Sequence, residues 1–106
     1  PLRGHFHDTR NTGIANVEAA VEAGVDAVDA ALGGLGGCPF APRATGNVAS
    51  EDVVYLLDRS GVATGVDLDA LIAANAWMQD HLDAPLPSRV ARAGGFPKAK
   101  NNADAA

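Results

Sequence analysis

Two short apolar segments, Leu2–His7 (LRGHFH) and Val25–Leu32 (VDAVDAAL), flank one helical stretch and a glycine turn, and this spacing decides most of what the chain can be. Between them Ile14, Val17 and Val21 recur at steps of three and four. That recurrence places them on one face of a helix over about Gly13–Ala23, with Glu18 and Glu22 off the face. Asn11 and Thr12 are candidate caps, and Gly24 is the expected stop. Asp26 and Asp29 interrupt the alternation of the second segment, which is nonetheless short and apolar and reads as a buried strand. Strand, helix, strand is the unit of a parallel sheet, because parallel neighbours need a crossover connection. The fold class is α/β.

Gly33–Gly46 (GGLGGCPFAPRATG) is too rich in Gly and Pro for regular structure. Loops of this length inside compact domains are usually functional or disordered. Ser50 is placed to cap the next helix, with Glu51 and Asp52 in the first turn where the helix dipole favours acids. Val53, Val54, Leu56 and Leu57 supply its buried side, and Gly61 ends it. A further helix starts near Asp67. Its stripe is Leu68, Leu71, Ile72, Asn75, Gln79 and Leu82, flanked by Trp77 and Met78 and closed by Pro85. Arg89–Ala93 adds a turn of helix. Beyond Gly94 the run FPKAKNNADAA lacks apolar periodicity, so residues 1–94 read as the folded part and 95–106 as a frayed tail.

Several functions are disfavoured at once. The formal net charge is −5 with no basic run, which argues against a nucleic-acid partner. No apolar run approaches the ~20 residues of a membrane span, and no charged and then apolar leader is visible. The single cysteine, Cys38, has no intrachain disulfide partner, so the default compartment is the cytoplasm. The chain opens at Pro1 in what reads as a strand already under way, as a fragment does.

Four residues stand out as chemistry. His5 and His7 are two apart, so on a strand both imidazoles project from one face. Such a pair fits a metal, or two polar residues at a solvated strand end. In parallel α/β folds ligands bind beyond the carboxyl ends of the strands. The His-x-His follows the first strand and the glycine-rich loop follows the second, so both fall on the same rim. Cys38 sits in that loop, before Pro39, and is either a small buried hydrophobe or a reactive thiol. The loop lacks both the Lys-Ser/Thr ending of a P-loop and the spacing of a dinucleotide fingerprint. Asn47 can cap, turn the chain or offer a carbonyl oxygen to a hard cation, and spacing alone favours a cap or turn.

Three stretches together carry a resemblance: His5-Phe6-His7-Asp8-Thr9, Gly34-Leu35-Gly36-Gly37-Cys38-Pro39-Phe40-Ala41, and Gly46-Asn47-Val48-Ala49-Ser50-Glu51-Asp52-Val53-Val54-Tyr55. From about Gly4 through Leu71 the chain resembles the 3-hydroxy-3-methylglutaryl-CoA lyases, metal-dependent TIM-barrel enzymes. The His-x-His-Asp element is shared with related aldolases, synthases and carboxyltransferases, whereas GLGGCPF singles out the lyases. The resemblance implies the carboxyl-terminal portion of a (β/α)8 barrel, its last parallel strands and helices. It implies metal ligands at His5, His7 and Asn47, a catalytic cysteine at Cys38, and proton transfer assisted by His5. The implied cofactor is divalent Mg or Mn. The implied substrate is an acyl-CoA, cleaved to acetyl-CoA and acetoacetate, in a parent enzyme that is a homo-oligomer.

Some positions depart from that family. Arg43 stands where members often have Gly, and Ala30-Ala31 where they often have Ser-Ser, either of which bears on which acyl-CoA is accepted. A full barrel takes ~250 residues. The family's amino-terminal Arg-Asp motif, which supplies a further metal ligand and a catalytic arginine, is absent from these 106 residues. The isolated chain is accordingly expected to be inactive. The alternatives are a related lyase or synthase acting on another acyl-CoA, or a non-catalytic fragment.

Overall fold

The computed structural model describes residues 1–36 and 46–97. The order is β1 (Arg3–His5), α1 (Gly13–Glu22), β2 (Ala27–Asp29), a 3-10 turn (Leu32–Gly34), α2 (Ser50–Arg59), α3 (Leu68–Leu82) and α4 (Arg89–Ala93). The two strands pair in parallel, with Arg3 opposite Ala27, Gly4 opposite Val28 and His5 opposite Asp29. The expected βαβ unit is present. Each strand keeps one unpaired edge among the described residues.

Both strands are shorter than their apolar runs. Regular pairing in the first stops at His5, and His7 instead forms an isolated antiparallel bridge to Asn47. The second covers three residues rather than eight and is half-buried rather than buried. Its continuation is claimed by a different partner: Ala31 bridges Ala49 in parallel, and Leu32 starts the 3-10 turn. The segment 46–49 therefore runs between the carboxyl ends of both strands. Val48 N–H donates to the Phe6 carbonyl at 3.2 Å, and Ala31 N–H donates to the Val48 carbonyl at 3.0 Å.

The core explains that insertion. Val48 and Val17 have no exposed surface and cluster with Val53, against which Phe6, Ile14, Val21, Val28, Leu56 and Leu57 pack. Val48 is thus an apolar anchor in the seam, and full burial of one such side chain contributes about 1.5–3 kcal/mol. The helix α1 stripe faces this core as its periodicity requires, and Gly24 ends α1 at φ +98.

The caps differ from expectation. Asn11 and Thr12 make no side-chain cap at α1. Asn11 is itself at φ +62, and the Gly13 N–H is satisfied by Asp8 Oδ1 at 3.0 Å. Ser50 is the first residue of α2 rather than its cap, and Ala49 precedes it without a side-chain bond. Two caps are as their residue types suggest. Asp67 accepts from Ala70 N–H, and Ser88 accepts from Ala91 N–H. In α3 the apolar stripe is only half-buried, and Asn75 is the helix's one buried residue. Trp77 and Leu82 stay exposed. Phe96, placed in the tail by its sequence, lies over the Arg59 guanidinium, 3.9 Å from its ring centroid.

An apolar groove of about 560 Å³ runs beside β2, lined in part by Val28, Val53, Val54, Leu57, Val66 and Leu71. No helix among the described residues is long and apolar enough to cross a membrane.

Candidate functional site

The rim beyond the strand ends is where the candidate residues gather. His5 closes β1, and His7 follows two residues later on the same side, with the ring centroids 5.2 Å apart and the rings inclined at 63°. The seam then brings in a residue 40 positions further along the sequence: Asn47 sits across from His7 in the antiparallel bridge. Alternation does the rest, because Val48 points into the core and its neighbour Asn47 is only half-buried. His5, His7 and Asn47 are thus brought to one place. Cys38 lies outside the described residues.

Hydrogen bonding fixes which atoms remain available. His5 Nδ1 lies 3.3 Å from Asp29 Oδ2, and Arg3 donates to Asp29 Oδ1 at 2.8 Å. The Arg3 hydrogen bond holds the Asp29 carboxyl below the usual carboxylate range; partial desolvation opposes this and the His5 contact adds to it. With Nδ1 committed to a carboxylate, His5 keeps Nε2 for another partner. His7 has no hydrogen-bond partner among the described residues. Asn47 Nδ2 donates to the Leu35 carbonyl at 3.1 Å, and its carboxamide oxygen has no partner among the described residues.

Two imidazoles and one carboxamide oxygen, each with a lone pair unused among the described residues, fit a divalent cation as part of its ligand set. They do not complete one. Among the described residues no three His, Cys, Asp or Glu side chains converge to hold an ion. Further donors must come from elsewhere.

Asp29 was legible only as an irregularity in VDAVDAAL. Its role follows from register, since a strand-end acid opposite a strand-end histidine can orient the ring. Glu51 was also misplaced by its sequence context, whereas Asn75, a member of the α3 stripe in the sequence, is buried. Glu51 reads as a solvated companion of the helix dipole and is fully buried.

A model of the HMGL-like family matches residues 1–78. The (R)-citramalyl-CoA lyase of Chloroflexus aurantiacus is 60% identical over 90 residues, 85% of this chain and 28% of that protein. The hydroxymethylglutaryl-CoA lyase of Bacillus subtilis is 47% identical over 85 residues, 80% of this chain and 28% of the relative. Among solved structures, a hydroxymethylglutaryl-CoA lyase from Acinetobacter baumannii in complex with coenzyme A and 3-methylmalate superposes with a TM-score of 0.86 at 47% identity. That superposition covers 94% of this chain and 33% of the other. The chain thus spans under a third of the length of the curated relatives it matches here.

Proposed function

The chain belongs to the HMGL-like family, and from that premise we propose that it is part of a metal-dependent carbon–carbon lyase acting on a 3-hydroxy-3-methylacyl-CoA thioester. The observation that carries the reading is the convergence of His5, His7 and Asn47 at the strand ends, with lone pairs uncommitted among the described residues. The whole enzyme is a (β/α)8 barrel of which this chain forms the last strands and helices. The unpaired edge of β2 and the apolar groove beside it support that placement, since a closed barrel has no free strand edges.

His5, His7 and Asn47 would hold a divalent cation, Mg or Mn, together with a carboxylate from outside this chain. Bound there, such a cation would supply Lewis acidity toward the substrate's oxygens. Asp29 holds the His5 ring by its Nδ1, so that Nε2 is the atom presented to the site. Transfer of the hydroxyl proton to a general base from outside this chain drives cleavage between the carbinol carbon and the thioester's α-carbon, whose electron pair leaves with the thioester fragment, and a carbonyl product is released. The thioester fragment departs as an enolate, which Cys38 protonates to give acetyl-CoA.

Two substrates fit this chemistry. 3-Hydroxy-3-methylglutaryl-CoA, giving acetoacetate, is the one implied by the GLGGCPF stretch. The 60% identity to a citramalyl-CoA lyase favours citramalyl-CoA, giving pyruvate, as the second reading. The two thioesters differ by one methylene between carbinol and carboxylate, a difference worth about 1–3 kcal/mol in a fitted pocket. The test is kcat/KM of the full-length enzyme on both thioesters with Mg or Mn. Cleavage of either supports the lyase. Turnover of neither, with another acyl-CoA consumed, overturns both readings.

A further inference from the structure

The most deeply buried polar cluster lies behind the rim rather than on it. Glu51 has no exposed surface, and Asn75 is 3% exposed. A carboxylate out of water is tolerated only where its oxygens are hydrogen-bonded. Gly33 N–H donates to Oε1 and Oε2 of Glu51 at 2.8 and 3.0 Å, and Asn75 Nδ2 donates to Oε2 at 2.7 Å. No cation pairs with Glu51 among the described residues.

Gly33 is the point on which this cluster acts. At φ +65 it turns the chain out of the second strand segment and into the 33–46 loop. Its carbonyl accepts from Ser88 N–H at 3.0 Å. Leu86 and the Asn75 amide fill the space a side chain would need there. The loop's first turn is therefore clamped from three sides, two of which are α3 and the stretch from Leu86 to Ser88. That stretch lies beyond the part of the chain the family model matches.

We propose that Asn75 is a positioning residue, which fixes the turn at Gly33 by holding Glu51 against the Gly33 amide. It touches no reacting atom. It fixes the turn from which the loop departs, and a displacement of about 1 Å in a reacting group is enough to cost ~10²-fold in rate. The kinetic part of this inference rests on the lyase reading above, and the exchange part does not.

The test uses the full-length enzyme. Asn75→Ala leaves Glu51 Oε2 buried and without its amide partner. Turnover should fall by about 10- to 100-fold in kcat, with KM and metal affinity little changed. Exchange of the Gly33 amide should quicken by at least about tenfold. The double variant Glu51→Gln/Asn75→Asp keeps an acceptor for Gly33 and reverses the donor between the two side chains, so it should recover most of the kcat that either single change removes. An Asn75→Ala enzyme that melts earlier but turns over normally while folded would overturn the inference. So would an unchanged Gly33 exchange rate, or no recovery in the double variant. If the unaltered enzyme cleaves neither thioester, the lyase reading falls by itself, and Gly33 exchange decides the clamp.

Discussion

His5 and Asp29 are register partners on adjacent parallel strands, and their side chains meet at 3.3 Å through Nδ1 and Oδ2. The pairing of the backbone therefore sets the orientation of the imidazole. A carboxylate on the far nitrogen fixes the tautomer and raises the basicity of the other nitrogen. Replacing Asp29 by Ala in the full-length enzyme should weaken divalent-metal affinity by about 10- to 100-fold, while the fold is retained. Titration calorimetry with Mn reads this directly. Unchanged affinity would remove Asp29 from the site.

Arg3 tunes the same carboxylate from the other side, and the consequence is a pH dependence with a definite sign. The folded-state pKa of Asp29 is depressed, chiefly by the Arg3 hydrogen bond. The contribution is therefore present above the carboxyl's unfolded value and is lost as pH falls through its folded value. Arg3 is well exposed and Asp29 partly so, which keeps the stability effect small. The clearer readout is the titration itself. Arg3→Gln should raise the Asp29 midpoint in a carbon-13 carboxyl titration, and a midpoint that does not move would contradict the assignment.

The strand–helix–strand core was legible because Ile14, Val17 and Val21 encode a period that only one face of a helix satisfies. The parallel pairing followed from it. What could not be read was the seam. Val48 looks like an ordinary residue before a helix, yet it inserts between two strands and carries Asn47 to His7. Nothing local distinguishes that from a turn, which is why spacing favoured a cap. The same holds for Glu51. An acid in a first helical turn is usually solvated, and only the packing of α3 and Leu86 around Gly33 shows that this one is enclosed. His5 and His7 were visible as a pair because alternation is local, whereas their third companion and Asp29 depend on long-range register.

Gly33 should tolerate no side chain. A Cβ built there would meet Leu86 Cβ at 2.9 Å and Asn75 Nδ2 at 2.8 Å, and φ +65 is strained for any L-residue with a side chain. Left-handed strain and overpacking are each worth about 1–3 kcal/mol. Gly33→Ala should accordingly destabilise the full-length enzyme by at least about 2 kcal/mol in denaturant unfolding. Gly61, with no neighbour within reach of a Cβ among the described residues, offers the matched control, since Gly61→Ala there meets backbone strain alone. Equal losses at both positions would show that the packing around Gly33 is slack.

Cys38 is where the two readings of the sequence differ most. As a spacer in a glycine loop it is dispensable, and Cys38→Ala should cost little activity. As the group that protonates the departing enolate it needs an acid near neutral pH, which a thiol with a reference pKa of ~8.5 provides and a serine hydroxyl does not. Cys38→Ala in the full-length enzyme should then lower kcat by the ~10²–10⁴-fold typical of acid–base catalysis, with metal affinity close to normal. Cys38→Ser should be similarly impaired, since it keeps size and hydrogen bonding but ionises far less readily. Alkylating reagents should inactivate the unaltered enzyme, and bound thioester should slow that inactivation. The deciding measurement is kcat of Cys38→Ala at saturating Mg or Mn. A loss smaller than about tenfold, well under the acid–base range, would return Cys38 to a structural role.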